Sequence, residues 1–357
     1  MSDEVAIVDA LTVNPEWIGD SGAVAEVMRT LGFHDAIVKA LAGAADELAK
    51  SGEIPMIAAA ATSWFSARGR LFDSEGHPLR EALAVVSTFP SRMEHDQVRG
   101  IPTAVTSETL LDLQRHMDEF HIRHGVWGFH LAHWLWNHVT GGLYAIEGLQ
   151  FAPGEWTYPY VVYRTADETL VLADDGLYLD HEGAPRKQRP GTRTSLNEAA
   201  GAVRGFPVNR SSGAVGLRET TLPSDARRIL GAGDRVLNLH IPTGADVTLG
   251  ACRIAFRRAV EFFEHFFPHR ATGTIICTSW LLDRELSRVL PADSRVVQFG
   301  GIFFPFLMPD GDDAQLIERV LDVPAHRETS LRRTIRSHRL AGGRFRMTGG
   351  FLLPEDY

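Results

Sequence analysis

A pair of glycines, Gly141-Gly142, separates two kinds of hydrophobic pattern along this chain. Before it, apolar residues recur at spacings of three and four: Val24, Val27, Met28 and Leu31, then Ile37, Val38, Leu41, Ala45 and Leu48. That is the one-sided pattern of amphipathic helices, punctuated at Gly52 and Pro55. A second helical stretch opens at Thr106 or Ser107, both good N-caps, and runs to Gly125, and a third, VWGFHLAHWLWNHV, ends at the glycine pair. After the pair, residues 143–152, 156–165 and 169–179 are rich in aromatic and β-branched side chains and read as strands. No internal repeat is present, so the chain is predicted to be α/β in the α+β sense. It divides into a helical N-terminal domain over 1–140, a strand-rich segment and linker over 141–204, and a C-terminal domain over 205–357.

Residues 180–210 mix Pro, Gly and Arg with few apolar anchors and predict a long loop or a boundary between lobes. Beyond them, 235–241 reads as a strand, 248–267 as an amphipathic helix stopped by Pro268, and 273–280 as another strand. A strand, a crossover helix and a strand make a βαβ unit, whose two strands run parallel. A short helix over 281–290 follows, then a strand at 295–304, helices near 312–322 and 327–340, and a last strand at 344–353.

Composition narrows the function classes. The 357 residues carry 36 Lys and Arg against 45 Asp and Glu, a net charge of −9 that repels phosphate backbones and argues against nucleic acid as a partner. The two cysteines, Cys252 and Cys277, are too few for a disulfide framework or a four-thiolate zinc site and suit a reducing compartment. The N-terminus MSDEVAIVDA is acidic where a secretion signal is basic, and no run of about 18 apolar residues exists, so a cytoplasmic protein without a membrane span is expected. The dinucleotide fingerprint, the P-loop and the GxSxG nucleophile elbow are all absent from the sequence.

Ligands of open α/β sheets bind beyond the carboxyl ends of parallel strands, which directs attention to His240-Ile241-Pro242-Thr243-Gly244 and to Cys277-Thr278-Ser279-Trp280. Strand alternation puts Leu237, Leu239 and Ile241 on one face and Asn238 and His240 on the other. An imidazole at a strand tip titrates near neutrality and suits a general base, although a hydrogen-bonded structural histidine fits the same position. The loop after it leads into a helix N-terminus, an anion-attracting place, with Arg253, Arg257 and Arg258 following. Cys277 sits in an apolar strand and reads more as a core thiol than as a nucleophile; Trp280 is most simply a packing anchor. His116, His121, His124, His130, His133 and His138 cluster in the helical part, but the interleaved Trp127, Phe129, Trp134 and Trp136 favour an aromatic packing surface over a metal site, and no metal is assigned.

LNLHIPTG at 237–244, CTSWLLD at 277–283, the Pro-Ala-Asp-Ser turn at 291–294 with VVQF after it, and RLAGGRF at 339–345 resemble the acyltransferases that join an N-acyltransferase N-terminal domain to a GNAT-like C-terminal domain. RETTLP at 218–223, GDRVL at 233–237 and EGLQF at 147–151 fit the same pattern. The resemblance spans about residues 140–350 and implies a GNAT-like mixed, twisted sheet with flanking helices, whose parallel strands splay to admit the arm of an acyl thioester. The usual GNAT pyrophosphate signature is replaced by HIPTGADVTLGA, so the donor is either acyl-CoA or an acyl carrier protein thioester, used as a co-substrate with no tightly bound cofactor. The acceptor is an amine on a small molecule or peptide. In this mapping Leu239, Ile241, Thr243, Gly244, Thr248, Arg253 and Trp280 contact the donor. His240 is the base, Ser279 donates to the departing thiolate, and Glu147 is a second base or an anchor for the amine. Two other readings stay open: a catalytically inactive thioester-binding or assembly module, and a thioester hydrolase using Cys277 and His240. Phe299, Ile302, Phe303, Phe304 and Phe306 suit an acyl tunnel or ordinary core.

Overall fold

A computed structural model describes residues 15–67, 71–72, 76–187, 191–199, 201–311, 314–321 and 329–357. The acidic N-terminus and parts of the helices expected at 312–322 and 327–340 lie outside these residues. The chain forms two compact units, Met1–Ala152 with His240–Ala245, and Pro153–Leu239 with Asp246–Tyr357.

The first unit is built from helices α1 (Pro15–Ile18), α2 (Ser21–Thr30), α3 (Asp35–Lys50), α4 (Ile54–Ala67), α5 (Arg80–Val86), α6 (Phe89–Val98), α7 (Thr103–Leu110), α8 (Asp112–His124) and α9 (Ala132–Val139). The Asp20 carboxylate accepts the N–H groups of Gly22 and Ala23 and starts α2. Helix α3 buries Ile37, Val38, Leu41, Ala44, Ala45 and Leu48, the stripe visible in the sequence. The stretch expected to run unbroken from Thr106 to Gly125 is two helices meeting at Leu111, and Gly125 ends the second in the left-handed conformation, φ +74°.

Residues 143–152 form a hairpin rather than one strand: β1 (Tyr144–Ile146) pairs antiparallel with β2 (Leu149–Glu155). Glu147 and Gly148, at φ +54° and +79°, are its two-residue turn, the conformation that matches the twist of the flanking strands. Beneath it the Arg92 guanidinium lies buried, 3.0 Å from Asp96, over the Tyr144 ring, and donating to the His138 carbonyl.

In the second unit, β3 (Tyr160–Arg164) and β4 (Thr169–Ala173) are followed by short strands β5 (Tyr178–Leu179), β6 (Pro185–Arg186), β7 (Thr192–Arg193), β8 (Leu196–Ala199), β9 (Ala202–Gly205), β10 (Thr220–Thr221) and β11 (Arg227–Leu230). They form small antiparallel sheets in the orders β11-β3-β4, β10-β9-β8 and β6-β5-β7. The stretch 180–210 is therefore strand-bearing, not a long loop. Its order comes from polar turn chemistry: Asp180 accepts the N–H groups of Glu182 and Ala184 and the Arg186 side chain.

The predicted βαβ unit is present as β12 (Arg235–His240), α10 (Leu249–Phe266) and β13 (Ile275–Ser279), with Leu237, Asn238 and Leu239 opposite Ile275, Ile276 and Cys277 in parallel register. After α11 (Leu286–Val289) the expected strand at 295–304 is instead helix α12 (Arg295–Ile302) followed by β14 (Phe304–Leu307). Gly300 explains the change: a Cβ there would stand 3.0 Å from the Leu281 carbonyl, so the glycine lets the helix lie on that backbone and bury Phe299. Tertiary packing outweighs the strand preference of Val296 and Val297.

Helices α13 (Ala314–Leu316) and α14 (Ser330–Leu340) precede β15 (Thr348–Leu352). Within the unit the sheet runs β12-β13-β15-β14 and is mixed, because β15 is antiparallel to both its neighbours. Phe304 stacks on Phe351 at 5.2 Å and Phe306 packs against Trp156, Tyr158 and Tyr160, so these rings are core.

Candidate functional site

Strands β12 and β13 stop pairing at Leu239 and Cys277, while β13 runs on through Thr278 and Ser279 against β15 alone. Open α/β sheets take ligands beyond the carboxyl ends of their parallel strands, and this is such a place. Opposite them Gly349 and Gly350 allow close packing, since side chains there would run into the Phe306 ring and the Phe303 Cβ. The Tyr158 hydroxyl lies 2.9 Å from Thr278 Oγ1.

The side chains beside this point divide clearly. Cys277 is buried, and burial pushes its thiol up to about 12, so at neutral pH it is a thiol and not a thiolate nucleophile. Ser279 Oγ accepts the Leu281 N–H at 3.2 Å and caps a single 3₁₀ turn at Trp280–Leu282. Trp280 packs with Leu286, Leu316, Ile335 and Phe345 in a hydrophobic cluster, the place of a core anchor rather than of a donor contact. Thr248 is the N-cap residue of α10, whose first N–H groups have no acceptor within the helix, and Arg253 is exposed on that helix. Asp246 stands at the same entrance. Its carboxylate accepts the Thr248 N–H, and this bond, with help from Arg295, holds it below the usual carboxylate range. A phosphate at the helix start would meet that negative charge.

Leu239, Thr248, Arg253, Cys277, Ser279 and Trp280 belong to the second unit, whereas Glu147, His240, Ile241, Thr243 and Gly244 belong to the first. Glu147 is exposed in the hairpin turn rather than within the strand read over 143–152. The segment after β12 closes in a turn, Ala245 N–H to the Pro242 carbonyl, with Gly244 at φ +86° where a type II turn requires it. The Thr243 hydroxyl donates to Glu119 on α8 at 2.8 Å. His240 meets the Trp134 ring of α9 nearly edge to face, centroids 5.0 Å apart and planes at 79°.

Trp134 leads to a group the sequence did not single out. Its Nε1–H donates to Asp112 Oδ2 at 2.8 Å, and the same oxygen lies 3.2 Å from His116 Nε2 and 3.3 Å from His138 Nε2. The other oxygen accepts from Gln150 at 2.8 Å and Arg115 at 3.1 Å. Burial by itself would raise the Asp112 pKa, but the contacts from His116 and His138 outweigh it and hold the carboxylate well below its usual range. The histidine and tryptophan cluster read from the sequence as aromatic packing is thus half a charged network. Its local signals are the short helical spacings Asp112/Arg115, Asp112/His116 and Trp134/His138. Among the described residues no group of three or more His, Cys, Asp or Glu side chains is arranged to hold a metal, and no helix is long and apolar enough to cross a membrane.

A family model described as N-acyltransferase N-terminal domain matches residues 23–141, and one described as GNAT-like C-terminal domain matches residues 143–352. Among solved structures, the chain is similar to an acyltransferase in complex with decanoyl-CoA and teicoplanin, with 18% identity, 93% of this chain and 87% of that chain covered, and a TM-score of 0.60. It is similar also to a mutant acyltransferase in complex with octanoyl-CoA, with 17% identity, 96% and 89% covered, and a TM-score of 0.60. These likenesses establish the fold. No curated protein sequence is significantly similar to the chain.

Proposed function

This chain belongs to the GNAT-like acyltransferase family in which an N-acyltransferase N-terminal domain precedes the catalytic fold, and we propose that it moves a medium-chain acyl group from acyl-CoA to an amine. The observation that carries this reading is the parting of β12 and β13 at Leu239 and Cys277, with His240 as the next residue of β12. The acyl length follows the decanoyl-CoA and octanoyl-CoA bound by the similar structures. The acceptor taken first is an amine-bearing glycopeptide of the teicoplanin type. A cytoplasmic reaction accords with two free thiols and a CoA donor.

The acceptor nitrogen attacks the thioester carbonyl carbon, forming the C–N bond and an oxyanion, and collapse breaks the C–S bond and releases CoA thiolate. Stabilisation of the oxyanion is assigned to backbone N–H groups of the 237–241 strand. His240 takes the proton that the amine nitrogen loses as the C–N bond forms. Ser279, its Oγ engaged as an acceptor by Leu281 N–H, keeps its O–H free to donate a hydrogen bond to the departing thiolate, with no proton transferred. Thr248 and Arg253, at the start of α10, bind the donor's phosphates, with Asp246 limiting how much charge the helix start accepts. The hydrolase alternative lacks a nucleophile, because the Cys277 thiol is buried and protonated.

Decanoyl-CoA and a free-amine glycopeptide are the assay pair, with released thiol and acylated product both measured. His240→Ala is expected to lower turnover by about 10²–10⁴. A wild-type rate removes His240 from the mechanism. Native mass spectra with CoA, acetyl-CoA and decanoyl-CoA test the donor, and failure to retain any of them favours an acyl carrier protein thioester or a non-catalytic module.

A further inference from the structure

We infer that Asp112 is a positioning residue for this reaction, acting on His240 through the indole of Trp134; the inference rests on the role proposed for His240. Asp112 opens α8 with only 4% of its side chain exposed and collects nitrogen groups from Trp134, His116, His138, Gln150 and Arg115. A buried carboxylate is costly unless each lone pair is met, and here both oxygens are met. The arrangement is therefore stiff. Of its partners, Trp134 also meets His240.

Trp134 is held at its ring by Asp112. Its indole N–H donates to Asp112 at 2.8 Å, and its backbone carbonyl lies 3.3 Å from Nδ1 of His138, whose Nε2 stands 3.3 Å from Asp112 Oδ2 without the alignment of a hydrogen bond. The indole cannot turn about its side-chain torsions without breaking its charge-assisted bond to Asp112. The His240 imidazole that leans on it inherits a defined orientation, as a general base requires. Glu119, seven residues after Asp112 and so on the same face of α8, holds Thr243. The segment His240–Ala245 is thus referred to α8 at its beginning through Trp134 and at its middle through Glu119.

The test is a set of double-mutant cycles on the full chain, with decanoyl-CoA and the glycopeptide amine as probes. Trp134→Phe keeps a ring against His240 and deletes the N–H; Asp112→Asn keeps the volume and removes the charge. Each is expected to lower kcat roughly 10- to 100-fold, the scale of a displaced catalytic group. KM for decanoyl-CoA should stay within about twofold. In the His240→Ala background neither should cost anything further, and Asp112→Asn should add nothing to Trp134→Phe. Equal factors in both backgrounds mean a merely structural role and overturn the inference, as does wild-type kcat in either variant.

If His240→Ala itself turns over at the wild-type rate, the base assignment has failed, and a second measurement decides the positioning alone. In protein labelled with ¹³C-histidine, the His240 Cε1–H signal is identified by its loss in His240→Ala. That signal should move or broaden in Asp112→Asn and Trp134→Phe, and an unmoved signal overturns the inference. The same spectra decide where a variant is folded but no acceptor is turned over.

Discussion

Replacing Arg92 by Met tests the interior of the first unit more severely than any surface change. The guanidinium is 0% exposed and lies 3.0 Å from the Asp96 carboxylate, which is 1% exposed and also accepts from Thr106 at 2.7 Å. Burial raises the Asp96 pKa, and the charge of Arg92 with bonds from His95, Arg92 and Thr106 reverses that and leaves it below the ordinary value. Methionine fills similar space but leaves Asp96 as an uncompensated buried charge, a loss of about 3–5 kcal/mol. For a unit of this size that lowers the melting temperature by about 6–20 °C. It also releases the His138 carbonyl, to which Arg92 donates, and so loosens α9, the helix that carries Trp134.

Circular dichroism melts of Arg92→Met and of Arg92→Met/Asp96→Asn are the assay. The double variant should recover part of the loss, since no charge is stranded. The pH dependence has a definite sign. In the wild type a depressed folded pKa contributes stability above the unfolded value near 3.9 that is lost as pH falls through the folded one. In Arg92→Met the penalty should shrink as pH falls toward about 4, because protonation removes the stranded charge. A loss under about 1 kcal/mol at pH 7, or a double variant less stable than the single, refutes the reasoning.

Two further outcomes are expected. Cys277, with its thiol pushed up to about 12 by burial, should take up no iodoacetamide in the native protein at pH 8 while the unfolded chain reacts fully, and Cys277→Ala should keep its turnover; labelling of native Cys277, read by peptide mass spectrometry, would restore the hydrolase reading. Gly349→Ala drives a methyl group into the Phe306 ring and should cost about 1–3 kcal/mol in urea midpoints, so a variant of undiminished stability would show that β14 and β15 separate more easily than their packing implies.

What could be read from the sequence depended on how far apart the interacting residues lie. The βαβ unit was legible because its evidence is local: a strand period, an amphipathic stripe ended by Pro268, and a second strand. The same local reading misplaced residues 295–302, where Val296 and Val297 favour a strand but Gly300 sits against the Leu281 backbone. It misplaced Glu147 because a Glu-Gly turn lacks the asparagine or aspartate that usually marks a two-residue hairpin. The place of His240 at a strand tip is legible in the sequence, but its contact with Trp134 is not. Asp112 meets Trp134 and Gln150 across 22 and 38 residues of sequence, and no periodicity carries that information.

The six residues from His240 to Ala245 belong to a unit whose other members end at Ala152, so the chain passes between units at Ala152–Pro153, Leu239–His240 and Ala245–Asp246. Neither unit is a cassette. A gene fragment ending after Ala152 encodes the helices with Trp134 and Asp112 but omits the imidazole that leans on them. Recombination at the glycine pair would exchange the helices and leave His240 behind, to be met by whatever aromatic residue the newcomer presents. Diversification of the helical half is therefore confined to sequences that keep a seat for a loop encoded some hundred residues downstream, and a chimera can fold in both halves yet fail for want of that one fit.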